Sequence, residues 1–201
     1  MTTRKKIGIG LGVFAIVVIA VLLRGVTLLP ASIALGPCLK DWTAKPSWSP
    51  RQSLLASVDF EVGGKPARLC YGRPSARGRV IYGVVVPYDS LWRTGANEPT
   101  RLYTAGPIKI AGIALPPGRY SLYTRPAQGP WTLFVNRSTL HWGNELTPEV
   151  RSHEIGQATV YPQHLPEHVE TFTISTEAAG DTVNLLLDWE VTRVVVPITP
   201  P

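Results

Sequence analysis

The chain has 201 residues, of which 44% are hydrophobic and 17% charged, a balance that excludes an intrinsically disordered chain and suits one domain with an appendage. Its formal net charge of +6 looks basic, but Arg4, Lys5, Lys6 and Arg24 belong to one N-terminal segment. Setting them aside leaves 16 cations against 14 anions, too small an excess for a general nucleic-acid surface.

Residues 1–6, MTTRKK, carry three cations and no anion, and Ile7–Leu23 are seventeen uncharged residues. A helix over 7–29 is long enough to cross a bilayer, with Arg24 near its far end and able to snorkel. Cations before the span predict a cytoplasmic N-terminus and a periplasmic bulk, in a single-pass protein of the bacterial inner membrane. A cleaved signal peptide, with Ser32-Ile33-Ala34 as the small residues near the cut, is the rival reading. We read the segment as an uncleaved anchor.

Residues 30–52 hold four prolines, Trp42 and Trp48 and read as a linker. Cys38 and Cys70 are the two cysteines. In an oxidising space they are a candidate disulfide; the alternative is two unpaired thiols.

From residue 53 the pattern turns to period two. Val58, Phe60 and Val62 alternate with Asp59 and Glu61, and Gly63-Gly64 predicts a hairpin into ARLCY. RVIYGVVV at 79–86 reads as a buried strand. TRLYTA, IKIAGIAL, RYSLYTR, WTLFVN, ATVY and HVETFTIST follow, with a type II turn expected at Pro117-Gly118. The last strand, DTVNLLLDWEVTRVVVPI, puts Val183, Leu185, Leu187 and Trp189 on one face. Residues 143–156 hold one or two helical turns, and VVVPITPP is expected to order as a clamp on binding. About ten short strands separated by Gly and Pro indicate an all-β, antiparallel sandwich or barrel-like domain over 53–198, followed by a tail at 199–201.

Chemical motifs are sparse. There is no G-x-S-x-G elbow and no glycine-rich phosphate cradle outside the apolar N-terminal segment. His164 and His168 are separated by a segment containing Pro166, so they cannot share a helical face; on extended chain they stand about 13 Å apart. No metal site, cofactor or catalytic residue is expected, and an enzyme is the less favoured reading.

The exception is W-R-T-G-A-N-E at 92–98. Arg93 offers a planar fork of donors suited to carboxylate or phosphate, Glu98 a matching acceptor, and Asn97 tolerates left-handed backbone beside Gly95. Either these groups hold a corner of the fold, or Arg73, Tyr88, Trp92, Arg93, Thr94, Asn97 and Glu98 line a polar ligand pocket. The arginines at 68–101 pairing with the carboxylates of the last third is the corresponding bland expectation for the uneven charge.

R-P-S-A-R-G-R-V-I-Y-G at 73–83, V-P-Y-D-S-L-W-R-T-G-A-N-E-P-T at 86–100 and L-P-P-G-R-Y-S-L-Y-T at 115–124 resemble the bacterial family catalogued as domain of unknown function 2911. So do W-T-L-F-V-N at 131–136, V-E-T-F-T-I at 169–174 and L-L-D-W-E-V-T-R-V-V-V-P-I at 186–198. The resemblance implies an exported β-rich domain and carries no established activity. This chain departs from the pattern in its longer, anchor-like N-terminal segment and in a reduced loop before His153.

Two functions follow as expectations. In the first, the protein is a non-catalytic accessory subunit, held by residues 7–29 in the lipid bilayer and by its β-domain against other subunits of a membrane complex, respiratory or photosynthetic. In the second, it is an exported small-molecule-binding or hydrolytic domain that uses RPSARGR and WRTGANE.

Overall fold

The structure, a computed structural model, describes Cys38 and residues 52–141, 143 and 145–201. The expected cytoplasmic segment 1–6, membrane helix 7–29 and linker 30–52 (apart from Cys38 and Gln52) lie outside the described residues. Among the described residues no helix is long and apolar enough to cross a membrane.

The alternating pattern at 58–62 forms β1 (Leu54–Val62). Gly63 and Gly64 take φ of 57° and 69°, which only glycine adopts cheaply, so the chain reverses in two residues into β2 (Lys65–Arg73). A long loop then leads to β3 (Thr100–Thr104), the short hairpin β4 (Ile108–Ile110) and β5 (Ile113–Leu115), then β6 (Gly118–Arg125) and β7 (Trp131–Asn136). One helical turn, α1 (Pro148–Arg151), capped by the Thr147 side chain, precedes β8 (Glu154–Val160). The chain closes with β9 (Pro162–Ala179) and β10 (Thr182–Thr199), eighteen residues each.

These strands form two antiparallel sheets, ordered β1-β2-β3-β6-β7-β8 and β5-β4-β10-β9. The fold is an all-β sandwich with no closed barrel. A single apolar cluster joins the sheets: Leu69, Leu102, Leu122 and Leu133 from one meet Ile110, Phe172, Leu185, Val196 and Ile198 from the other. At one end the core is aromatic. Trp92 and Trp189 stack at 5.8 Å, and Phe172 meets Trp92 edge-on at 5.3 Å, contacts that add about 0.5–1.5 kcal/mol each beyond burial.

The six-stranded sheet also has a covered outer face. Cross-strand register aligns Cys70 with Arg101, Arg101 with Ser121 and Ser121 with Asn136, a row of groups that water cannot reach. Ser138, Thr139 and Val150 satisfy it: Arg101 Nε donates to the Thr139 carbonyl at 2.7 Å, Ser121 Oγ to the Ser138 carbonyl at 2.7 Å and Asn136 Nδ2 to the Val150 carbonyl at 2.8 Å. Cys70 is bonded to Cys38, with Cα atoms 5.5 Å apart.

Three local expectations differ from the fold. RVIYGVVV is no strand. It is a tight double-back in which the Gly83 and Val86 N–H groups bond to the Val86 and Ile81 carbonyls, with Gly83 at φ 93°. Gly118 does not take the positive φ of a type II turn and opens β6 directly. The C-terminal VVVPITPP is no free clamp, because Val194, Val196 and Ile198 are buried in β10.

Candidate functional site

The loop between β2 and β3, residues 74–99, leaves the sheet and folds over the aromatic end of the core. Its far end is the WRTGANE corner, and most of that motif holds the corner shut. Trp92 exchanges two backbone hydrogen bonds with Thr124, both 2.8 Å, and its indole N–H donates to the Gly95 carbonyl at 3.1 Å. Thr94 sits at φ 54°, a strained region for a β-branched residue that costs about 1–3 kcal/mol. Its hydroxyl donates to Thr124 Oγ1 at 3.0 Å, and its carbonyl accepts from Thr100 Oγ1 at 2.7 Å. Asn97, at φ 65°, donates to the Ser53 carbonyl at 3.2 Å and ties the corner to the start of β1. A Cβ on Gly72 of β2 would overlap the Ala96 backbone, so glycine there lets the corner press onto the sheet.

Arg93 is different. Its Nε and Nη1 are buried and make no hydrogen bond. Burial pushes its pKa down, and the nearby Glu98 carboxylate opposes that shift. A guanidinium stays charged at any physiological pH, so among the described residues the side chain keeps two buried donors without an acceptor. An unsatisfied buried donor costs about 1–3 kcal/mol, and more when charged.

Arg93 forms part of the wall of an open cleft of about 450 Å³, a small-molecule scale. Trp92, Trp189 and Val86 supply apolar wall; Ser53, Ser75, Ser90 and Asn97 supply neutral polar groups; Arg77 and Arg79 complete the cationic set. Among the described residues no carboxylate and no histidine lines it. Arg77 is oriented by Gln52, at 3.2 Å to Oε1 and 3.3 Å to the carbonyl. Arg79 is held by the Ala76 and Ser75 carbonyls, both 2.9 Å. Among the described residues none of these three guanidiniums forms an ion pair. The arrangement can bind and orient an anion.

Of the seven candidate residues, Trp92, Arg93 and Asn97 line the cleft. Arg73 instead reaches β9, donating to the Phe172 carbonyl at 3.3 Å and Thr173 Oγ1 at 2.9 Å. Tyr88 stacks against Gly83. Thr94 and Glu98 are buried behind the corner, Glu98 with no exposure at all. Arg77 and Arg79 stand in the RPSARGR segment that the sequence points to as part of a ligand region, though it names neither of them individually. The signal available was the pair of arginines flanking Gly78, a turn that presents both side chains from one exposed strip. The expected pairing of these arginines with late carboxylates is limited to the Arg77 backbone N–H, which donates to Glu170 Oε1 at 2.7 Å. Among the described residues no three His, Cys, Asp or Glu side chains group closely enough to hold a metal.

The fold and cleft define an antiparallel β-sandwich with a basic ligand-sized recess at one end. The chain belongs to the family described as a protein of unknown function, DUF2911, whose model matches residues 50–198. No curated protein and no solved structure matches it.

Proposed function

We propose that this protein is an exported, membrane-anchored domain whose cleft binds a small anion, carboxylate or phosphate in type, without transforming it. One observation carries the reading: Arg93, whose Nε and Nη1 are buried and unmatched, belongs to the lining of a cleft that holds two further arginines and, among the described residues, no carboxylate. An anion drawn in there pairs with the guanidinium in a charge-assisted contact, the Arg93 side chain turning its buried donors toward the cleft as it binds. Exposed Arg77 and Arg79 at the rim raise the local anion concentration and speed its capture. The anchor, the periplasmic location and the inner-membrane address rest on the sequence pattern of residues 1–29. The accessory-subunit reading rests on that pattern alone, so the cleft favours ligand binding.

The test is isothermal titration of the full chain in mild detergent with phosphate, sulfate, acetate and citrate. Saturable binding of at least one anion is expected, about tenfold or more weaker in Arg93→Gln and several-fold weaker in Arg79→Gln. Equal affinity in wild type and Arg93→Gln, or no binding of any anion, refutes the reading.

A further inference from the structure

The double-back at 79–86 solves one packing problem and leaves another open. Ile81 and Val86 are buried, and the Tyr82 ring meets Trp131 at 4.8 Å and Trp92 at 6.0 Å. Glu190 Oε1, carried on an irregularity in β10, accepts from the Ile81 N–H at 3.1 Å and fixes the loop from below. With its inward residues so anchored, the loop turns Val80, Val84 and Val85 outward, 61%, 67% and 40% exposed. Three outward valines within six residues form a contiguous apolar tip, unlike the isolated apolar groups scattered on an ordinary surface. The tip is flanked by exposed Arg77 and Arg79, and Val85 belongs to the cleft wall. Apolar tip, cationic collar and anion recess are therefore one continuous surface.

We infer that this surface seats on an anionic lipid bilayer: the valine tip enters the headgroup region, and the cleft takes the phosphate of one lipid headgroup on Arg93. The inference rests on the anion-binding reading and names the source of the anion. Valine side chains gain by leaving water for the acyl boundary, while each arginine near an anionic surface adds electrostatic attraction. Occupants of other chemistry fit less well: a purely soluble anion leaves the valines exposed, and a neutral bilayer leaves the arginines unmatched.

The experiment is hydrogen–deuterium exchange of the full chain in nanodiscs, one set of phosphatidylcholine alone and one mixing phosphatidylcholine with phosphatidylglycerol. Residues 7–29 tether both alike, so the comparison isolates the headgroup. Exchange across 79–86 is expected to slow about tenfold in the anionic discs relative to the neutral ones. Val84→Asp, at an exposed position outside the cleft, is expected to abolish that difference. A parallel sample in detergent with glycerol phosphate reads the cleft by exchange across 91–98. Equal exchange of 79–86 in both discs overturns the inference; if glycerol phosphate still protects 91–98, the anion cleft stands and only its lipid source fails. Protection that appears only when a co-purified protein is present also overturns it and returns the tip to the accessory-subunit reading.

Discussion

The domain buries cationic and polar groups in two places and treats them in opposite ways. On the outer face of the six-stranded sheet, Arg101, Ser121 and Asn136 stand in one row, and the described residues of the segment 137–153 lie across them to accept every donor named above. Arg93, whose Cδ packs against Gly143 of that same covering segment, is held by an equally determined corner, yet two of its donors are left unmatched. The fold has the means to satisfy such groups, as the Arg193 guanidinium on both Asp188 oxygens at 2.7 Å also demonstrates. An unmet donor beside a cleft therefore points to a ligand, whereas a met one under a lid points to architecture.

The comparison breaks most visibly through the disulfide that ends on the covered face. Reduction is expected to lower unfolding free energy by roughly 3–4 kcal/mol on the chain-entropy account for a separation of 32 residues, read by urea titration with and without dithiothreitol. Next is Asn136→Ala, which strips the Ser138 N–H of its side-chain acceptor and leaves the Val150 carbonyl with the His153 N–H but not the amide. A loss of about 2–3 kcal/mol is expected by the same titration. Arg93→Gln sharpens the contrast: stability within about 1 kcal/mol of wild type, since two unmatched buried donors are removed, together with the loss of anion affinity. A destabilisation as large as that of Asn136→Ala would move Arg93 into the architectural class.

The smallest effect belongs to the surface pair Arg68–Asp59, with contacts of 2.5 and 2.8 Å. Hydrogen bonding to Arg68 holds the Asp59 carboxyl below its ordinary 3.8. A carboxyl lowered on folding contributes stability that is present above its unfolded pKa and lost as pH falls through the folded value. Asp59→Asn should thus narrow the gap between the unfolding free energies at pH 6 and pH 3, by no more than about 1 kcal/mol after solvent screening.

Much of the sandwich was legible because its signals are local. Val58, Phe60 and Val62 announce β1, Gly63-Gly64 the hairpin, and Leu185, Leu187 and Trp189 the buried face of β10. RVIYGVVV was misleading because a run of β-branched residues reads as strand whatever lies opposite it. Here Gly83 reverses the chain and tertiary contacts to Tyr82 decide which side chains go in. The same limit applies to the site. WRTGANE stood out by its density of hydrogen-bonding groups, but which of them are consumed locally depends on Thr124, Ser53 and Gly72, all distant in sequence. Arg77 and Arg79 join Arg93 only through the path of the loop, which no spacing rule contains.

One contact has a kinetic meaning. The Tyr71 hydroxyl accepts from the Ile174 N–H at 2.8 Å and donates to the Ile174 carbonyl at 3.2 Å, across 103 residues. It fastens the second strand to the penultimate one, and the cleft likewise needs both Gln52 and Trp189. A chain emerging N-terminus first has no recess until its final hairpin is out. Such closure of distant segments places the domain among slow folders, on the order of milliseconds to seconds. Until then the β1–β2 hairpin waits with its apolar face uncovered, and a truncated chain never acquires the binding surface at all.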